Sequence, residues 1–264
     1  MRVAVFEDDL ASQFAPLTLL RPVFELLCGH FSVRERVIRS LPVTDWGVLC
    51  RESLLETYAE GHPEAHLNDR DWFGRGPTLL INGRWLCDPR DIRACDPDAV
   101  GIIDGDVAWL TLDPLETPVL FARDVSDVCD GIAQLARSRR RVKSPGRLVR
   151  YPWDLIEHNP QQLAWDHHAR PVNAVGELPQ HTAVVGPREN LSLDPSARVD
   201  PYVVFDVREG PVFVDAGAVI QAFTRIEGPC YIGSKSQLFR TNLRGGTSIG
   251  PVCRVGGEVE GAIL

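Results

Sequence analysis

Two adjacent carboxylates near the amino terminus have the residue type and spacing for a chemical role. Asp8 and Asp9 follow an apolar segment, Arg2 to Phe6, that is typical of a strand. Carboxylate oxygens are ligands that Mg²⁺ prefers, so the two residues are candidate metal ligands. The alternative is a polar loop that follows a strand. The surrounding residues 7–15 contain no glycine, arginine or lysine, so they lack the usual backbone cradle for phosphates.

Arginine side chains supply the opposite charge, because a planar guanidinium matches the paired oxygens of a phosphate. Arg21 lies in a segment with few other charges and is a candidate phosphate contact. Its alternative is a buried ion pair with Glu25 or Glu35. Arg34 has the same two options.

A third candidate group is Asn82, Gly83 and Arg84, at the end of a predicted strand. An arginine cannot ligate a cation, but it can hold a phosphate. Metal ligation would then come from the first carboxylate pair or from Asp104 and Asp106. The alternative role of the latter two is to form the turn of a hairpin.

Alternating strands and helices must position these residues. Helices are predicted to begin at Ser32 and Ser53, each followed three residues later by a glutamate, and at Asn159. The other predicted elements are a helix over 125–141 and strands over 2–6, 45–50, 78–82, 99–103 and 107–112. Such an order implies an open α/β sheet whose ligand lies at the carboxyl ends of the strands.

The last third of the chain carries a six-residue repeat. Each step brings one apolar residue inward, which predicts a three-sided parallel β-helix over 193–264, with a β-sandwich as the alternative. The repeat begins Leu193, Val199, Phe205, Val214, Ile220 and continues Ile226, Ile232, Leu238, Ile249, Val255. The Pro-rich segment 171–192 is the predicted linker. The repeat is still open at Leu264, so we expect a fragment or a coil completed by something else.

Composition excludes several classes of function. The net charge of −8 argues against general nucleic-acid binding, and no apolar run reaches membrane-spanning length. The amino terminus turns acidic after five residues, unlike a signal peptide, so we expect a cytoplasmic protein that does not contact a membrane. Seven scattered cysteines without a CxxC pair are expected to be reduced thiols.

One basic run stands out in this acidic chain. It extends from Arg137 to Arg150. We interpret it as the solvated end of a helix, where cations complement the helix dipole. The alternative is a contact for a phosphate or an anionic partner.

Three segments resemble known sugar nucleotidyltransferases. The first, FEDDLASQFAPLTLLRPVFELLCGHFSVRERV, matches the start of that family at Pro16, Leu17, Thr18, Arg21 and Pro22. LLINGRWL and RYPWDLIEHN resemble a divergent branch of the family. This branch is similar to the bifunctional N-acetylglucosamine-1-phosphate uridylyltransferase/glucosamine-1-phosphate acetyltransferase.

The resemblance implies a Rossmann-like nucleotidyltransferase α/β domain over 1–170, a linker over 171–192 and a left-handed parallel β-helix over 193–264. It implies that a nucleoside triphosphate and a sugar 1-phosphate react with Mg²⁺ to give an NDP-sugar, such as UDP-N-acetylglucosamine, and pyrophosphate. Asp8 and Asp9 would hold the metal, and Arg21 and Arg84 would be catalytic. The implied nucleotide and substrate contacts are Thr18, Arg21, Arg34, Asn82, Gly83, Trp153 and Asp154. Family members commonly end the third strand in Gly-Asp, where this chain has Asn-Gly-Arg.

The resemblance also bears on the β-helix. Similar enzymes form homotrimers, bind acetyl-CoA between coils of neighbouring subunits and use a histidine of the coil. No histidine follows His181, so the corresponding residues would follow Leu264 and we expect no acetyl transfer by this chain alone. His167 and His168 lie in a predicted helix, where neighbours point apart, and are interpreted as surface residues.

Two further functions stay open. The glycine-free first loop and Asn-Gly-Arg are also compatible with a catalytically inactive sugar-nucleotide-binding or scaffolding protein on a trimeric β-helix. The other is an acyltransferase whose amino-terminal domain only positions substrate.

Overall fold

The protein, seen in a computed structural model, is described over residues 1–43, 45–122, 128–170 and 178–264. It divides into two compact units, an amino-terminal one of Met1–Leu26 with Ser32–Pro152 and a carboxyl-terminal one of Leu27–Phe31 with Trp153–Leu264. The domain boundaries at 170 and 192 stay predictions, and residues 171–177 of the predicted linker lie outside the described residues.

In the amino-terminal unit, strands and helices largely alternate along the chain. Its strands are β1 Arg2–Phe6, β2 Asp45–Leu49, β3 His66–Leu67, β4 Thr78–Asn82, β5 Trp85–Leu86, β6 Ala99–Ile103, β7 Asp106–Leu112, β8 Arg140–Lys143 and β9 Arg147–Leu148. Its helices are α1 Val33–Ser40, α2 Leu55–Gly61, α3 Arg70–Phe73, α4 Pro89–Arg93, α5 Thr117–Leu120 and α6 Val128–Arg137. Helix α7, Pro152–Ala169, begins at the unit boundary.

The main sheet confirms the predicted mixed α/β class with parallel strands. Within the described residues its order is β3-β2-β1-β4-β7-β6-β8. Strand β1 pairs in parallel with both β2 and β4, so the chain builds outward through β3 and then returns to the other side of β1. Such a reversal opens a crevice at the carboxyl ends of the two central strands. The functional residues of this unit are therefore expected after β1 and β4.

Helices α5 and α6 cover the face of the sheet behind this crevice. Ile132 and Leu135 of α6 and Leu120 of α5 are buried against Phe6 of β1 and other apolar side chains of the sheet. Gly131 permits the close packing of the two helices, because a Cβ atom there would lie 2.8 Å from the Leu120 backbone. This packing fixes the end of β1.

Local sequence rules were right at one predicted cap and wrong at others. The capping box of Ser32 and Glu35 at α1 is confirmed. The one predicted at Ser53 is wrong, since α2 begins at Leu55 without a side-chain cap. The predicted start at Asn159 is also wrong, because α7 already begins at Pro152 and the Asn159 side chain bonds to Gly29 N and Gly246 O.

The long helix predicted over 125–141 is shorter in the structure. Residues 125–127 lie outside the described residues, and α6 ends at Arg137. The following Arg140–Lys143 pairs in parallel with β6 as strand β8. A long-range pairing thus overrides the helical pattern of this basic segment.

The sequence predicts no membrane-spanning segment and reduced cysteines. In the described ranges, no helix is long and apolar enough to cross a membrane. The seven cysteines, all within these ranges, are free thiols.

The carboxyl-terminal unit consists of α7 and short parallel strands. These are β10 Ala183–Val185, β11 Leu191–Leu193, β12 Arg198–Val199, β13 Val204–Asp206, β14 Val212–Val214, β15 Val219–Ile220, β16 Arg225–Glu227, β17 Cys230–Ile232, β18 Gln237–Leu243, β19 Thr247–Ile249 and β20 Arg254–Val259. From β10 to β15, each strand pairs in parallel with the third strand after it. The chain therefore returns to the same face after three strands, and the inward residues of the six-residue repeat form the core.

Because the repeat places one apolar side chain inward at each step, shortening one of these side chains is expected to lower the stability of the protein markedly. Ile226 is fully buried, so Ile226→Ala is expected to lower the free energy of unfolding by about 2–5 kcal/mol through lost burial and a cavity. Val252 is the matched control, since it is 70% exposed and lies at a corner with φ 62°. Val252→Gly is expected to change that free energy by no more than about 1 kcal/mol, because relief of left-handed strain offsets the entropy of glycine. Urea unfolding measures both, and equal losses would contradict the inward placement of Ile226.

His167 is buried, so its interpretation as a surface residue is wrong, whereas His168 is exposed. The His167 ring packs among His30 and Phe213, and the Arg170 guanidinium lies 3.8 Å from the centroid of the Phe213 ring. The sequence pattern misses this because segment 27–31, which packs on α7, lies far from it along the chain.

Burial, with the nearby charges of His168 and Arg170, lowers the pKa of His167 to about 4. An unfolded histidine takes up its proton near pH 6.5. As the pH falls from about 6.5 to about 4, the unfolded chain therefore binds the proton first, and the free energy of unfolding falls over this range. Denaturant midpoints across this range, compared between the protein and His167→Gln, measure the effect. Parallel curves for the two proteins would contradict it.

Candidate functional site

Two cavities flank Asp8 at the carboxyl ends of the central strands. The larger, of about 490 Å³, is lined by residues that follow β1 and β2, including Glu7, Ser12 and Arg51. The smaller, of about 210 Å³, reaches the end of β4 and the turn between β6 and β7. Asp8, Asp9 and Cys129 line both. Their position is that of the ligand crevice of an open α/β sheet, and the larger volume suits a small molecule.

Asp8 forms the centre of a buried polar network between β1 and β4. Its Oδ1 accepts a hydrogen bond from Arg84 Nε at 2.7 Å, and its Oδ2 accepts one from Arg84 Nη2. Asn82 Nδ2 donates a further bond to the same Oδ2 at 2.8 Å. Both carboxylate oxygens are therefore occupied by donors of this chain.

Arg84 is fully buried and completes this network on the far side. Its Nη1 donates to the backbone oxygen of Val149, and its backbone N–H donates to Asn82 Oδ1 at 2.9 Å. Such a bidentate pair holds its geometry strongly, and the loss of Asp8 would leave the buried guanidinium of Arg84 without its counter-charge. Arg84 thus fixes the carboxylate of Asp8 rather than facing open solvent.

Gly83 allows the ends of β1 and β4 to approach. Its N–H donates to Phe6 O at 2.8 Å. A Cβ atom at this position would lie 3.0 Å from the same oxygen and 2.9 Å from Phe24 Cβ. The small residue in Asn-Gly-Arg therefore serves close packing between the strand ends.

Glu7 and Arg51 form a second ion pair, in the larger cavity. Glu7 is buried, and its Oε2 accepts from Arg51 Nε at 3.1 Å while its Oε1 accepts from Arg51 Nη2 at 3.2 Å. The side chain of Arg51 keeps 37% of its surface exposed. Arg51 is consequently both anchored and open to a ligand.

Arg51 and Glu7 also hold the loop after β1 in place through hydrogen bonds. Arg51 Nη2 donates to the backbone oxygen of Thr18 at 2.8 Å, and Val23 N donates to Glu7 Oε1 at 2.8 Å. Thr18 is buried, and its hydroxyl donates to Ala11 O, so the side chain points into the loop. Arg21 is exposed and has no carboxylate partner among the described residues, so the alternative role, an ion pair with Glu25 or Glu35, is absent there.

Three other predicted contacts are Arg34, Trp153 and Asp154. Arg34 is in a half-buried ion pair with Glu25, which raises the pKa of its guanidinium, and it stacks on Trp46. Trp153, which is exposed, and Asp154 belong to the carboxyl-terminal unit. Arg34 is not among the described residues that line the cavities beside Asp8.

Three further carboxylates are candidates for a metal ligand or a turn residue, namely Asp9, Asp104 and Asp106. Asp9 is exposed and lines both cavities, whereas Asp106 lines the smaller one, with its Oδ2 3.8 Å from Arg84 Nη2. Asp104 lies with Gly105 in the predicted hairpin turn, at φ 50°. In the described part of the chain, no group of three or more histidine, cysteine or acidic side chains is arranged to hold a metal.

The two thiols of the larger cavity are poor nucleophiles. Burial raises the pKa of Cys129 to about 12, with a further contribution from the charge of Asp9. Burial and the charge of Glu7 raise the pKa of Cys50 to about 12 as well. Since the thiolate is the reactive form, covalent catalysis by either cysteine is disfavoured near neutral pH.

Sequence reasoning missed the ion pair between Glu7 and Arg51. A signal was present, because Arg51 comes two residues after β2 and the carboxyl ends of parallel strands share one edge. The pairing itself joins residues 44 positions apart, which no local pattern reveals. Among the described residues, the crevice therefore holds one arginine–carboxylate pair with a fully buried arginine, Arg84, and one with a partly exposed arginine, Arg51.

Comparison with known proteins covers mainly the amino-terminal part of the chain. Residues 3–171 match the profile of a family described as sugar nucleotidyl transferase. No curated protein was found to match the chain. One similar solved structure is a Bacillus anthracis protein in complex with sucrose, described as a glucose-1-phosphate thymidylyltransferase. It has 10% identity and a TM-score of 0.41, over 62% of this chain and 96% of that chain.

Proposed function

The chain belongs to the sugar nucleotidyl transferase family, and from this premise we propose that it joins a sugar 1-phosphate to a nucleoside triphosphate in the cavities beside Asp8. The products would be an NDP-sugar and pyrophosphate. The observation that carries the proposal is the coincidence of the family match with the unit that contains the crevice.

In the proposed reaction, a phosphate oxygen of the sugar 1-phosphate attacks the α-phosphorus of the nucleotide in line with the leaving group. The new P–O bond forms as the bond to the oxygen bridging the α- and β-phosphates breaks, and pyrophosphate leaves with that oxygen. Both substrates are anions, so the protein must offset their charge. Arg51, half-exposed in the larger cavity, and the exposed Arg21 are the proposed phosphate contacts.

Arg84 has a different role in this proposal. Its guanidinium is fully buried and bonded to Asp8 and Val149, so it acts as a positioning residue. By neutralising Asp8 it lowers the repulsion that a triphosphate would meet after β1. Asn82 and Gly83 support the same arrangement through Asp8 and Phe6.

Magnesium is compatible with only part of the predicted ligand set. Asp8 fits poorly, because both its oxygens already accept hydrogen bonds from Arg84 and Asn82. Asp9 and Asp106 fit better, and Mg²⁺ usually needs only one or two carboxylates when substrate phosphates supply other ligands. We propose that these two would hold the ion, which when bound withdraws charge from the reacting phosphate.

Pyrophosphate release tests the proposed function. The purified protein would be given UTP or dTTP, Mg²⁺ and a panel of hexose and N-acetylhexosamine 1-phosphates. We expect release that requires a sugar 1-phosphate and decreases in Arg21→Ala. Folded protein that releases no pyrophosphate with any pair would contradict the proposal.

A second candidate function, sugar-nucleotide binding or scaffolding without turnover, is favoured by one observation. Both carboxylates directly after β1 are already paired with arginines of the chain, Glu7 with Arg51 and Asp8 with Arg84. Calorimetric titration with an NDP-sugar distinguishes the two functions, since this candidate predicts binding without any pyrophosphate chemistry.

Finer parts of the proposal concern the carboxyl-terminal unit and the substrate. We propose that its parallel strands form a left-handed β-helix of six-residue repeats, as the return of the chain to one face every three strands supports. We also propose a homotrimer built through this unit and UDP-N-acetylglucosamine as the product. Sedimentation and substrate assays test these points separately.

A further inference from the structure

A third cavity in the amino-terminal unit is lined by part of the basic run. Its volume is about 560 Å³, and it lies where the parallel strands β6 and β8 end. Arg141, Lys143 and Arg147 line it, and Asp104 is the single acid among the described residues of the lining. None of these described residues also lines the cavities beside Asp8. In a chain of net charge −8, this cavity is cationic.

The basic side chains of strand β8 and of the residue before it fall into two groups, those in ion pairs within the chain and those without. Arg139 pairs with Glu116, and Arg140 pairs with Asp96. Arg141 and Lys143 are exposed, and no carboxylate in the described ranges pairs with either. These two cations, which line the cavity, are therefore available to an anion from outside the chain.

The wall of this cavity is fixed before any ligand arrives. Ser144 is buried, and its Oγ accepts a hydrogen bond from Trp109 Nε1 at 2.9 Å. Trp85 Nε1 donates to Pro145 O at 2.9 Å. Gly146 has φ 79°, and a Cβ atom there would lie 2.3 Å from Leu86 O, so the tight turn requires glycine. Such preorganisation lowers the entropic cost of binding.

We propose that this cavity binds a small molecule that carries a phosphate group, at a site separate from the crevice of nucleotidyl transfer. The cations supply charge-assisted hydrogen bonds to phosphate oxygens, and Ile102 and Ile103 offer apolar surface to the rest of the ligand. Basic side chains on an edge strand also hinder pairing with another chain. Protection of an edge strand from such pairing requires charged side chains, but it requires neither a cavity nor a rigid cavity wall.

Calorimetric titrations with inorganic pyrophosphate and with UTP test the site. The proteins are the wild type, the double variant Arg141→Ala/Lys143→Ala and Arg93→Ala, which removes an exposed arginine outside this cavity. We expect the double variant to weaken binding at one site at least tenfold, and Arg93→Ala to change it less than twofold. Binding at this site should also weaken steeply as salt is raised.

The two probes separate the possible sources of the phosphate. Equal affinities for pyrophosphate and UTP would mean that the site recognises the phosphate groups alone. Tighter binding of UTP would mean that the nucleoside part also contributes to the affinity. Both results support the site. Unchanged binding of both probes by the double variant overturns the proposal. An equal loss in Arg93→Ala also overturns it, because the effect would then be one of net charge. Arg141→Gln/Lys143→Gln repeats the test with bulkier neutral side chains.

Discussion

Replacing Arg84 with alanine is expected to lower the free energy of unfolding by about 3–5 kcal/mol, because a fully buried side chain is lost and Asp8, whose side chain is only 18% exposed, loses its counter-charge. The backbone oxygen of Val149 loses its donor at the same time. Nucleotidyl transfer is expected to be lost, since Asp8 would then repel the incoming phosphates. Urea unfolding and pyrophosphate release measure the two effects.

Two further variants separate charge from geometry at this pair. Arg84→Lys keeps the charge but lacks the planar fork, so we expect an intermediate loss of stability. In Asp8→Ala/Arg84→Ala both charges are gone, and part of the stability lost in Arg84→Ala should return. The account is contradicted if Arg84→Ala costs less than about 1 kcal/mol or if the double variant is the least stable of the three.

The second large effect concerns Arg51. We expect Arg51→Ala to reduce kcat/KM for the nucleotide by about 10²-fold or more, the range found when one preorganised donor to a developing charge is removed. Two causes act together. The exposed part of the guanidinium no longer faces the phosphates, and the buried carboxylate of Glu7 loses its partner.

Matched variants locate this effect in the crevice. Arg75→Ala removes an exposed arginine of the same unit and is expected to leave kcat/KM within threefold. Glu7→Gln/Arg51→Ala removes the unpaired charge, so any loss that it shares with Arg51→Ala belongs to the missing guanidinium. An Arg51→Ala enzyme with the kinetics of the wild type would show that the phosphates bind elsewhere.

Local rules recovered much of the fold. The strands β1, β4 and β6, the capping box at Ser32 and the turn at Asp104 follow from patterns within a few residues. The inward residues of the six-residue repeat, such as Ile226 and Leu238, are buried as expected, since periodic burial is encoded locally.

The site was harder to predict because its contacts are long-range. Asp8 and Arg84 are 76 positions apart, and nothing in the sequence near either indicates that they pair. Their predicted roles, metal ligand and phosphate contact, considered each residue alone. The same limit explains β8, whose pairing with β6 is not visible in a basic segment that extends a helical pattern.

The most direct test of nucleotidyl transfer in this crevice is the exchange of labelled pyrophosphate into a nucleoside triphosphate. The reverse reaction needs only the protein, Mg²⁺, an NDP-sugar and pyrophosphate, and it reports the breaking and forming of bonds at the α-phosphorus. We predict labelled triphosphate that appears only with an NDP-sugar and is lost in Arg51→Ala. Folded wild-type protein that binds an NDP-sugar but forms no labelled triphosphate would contradict the account and favour a non-catalytic binding protein.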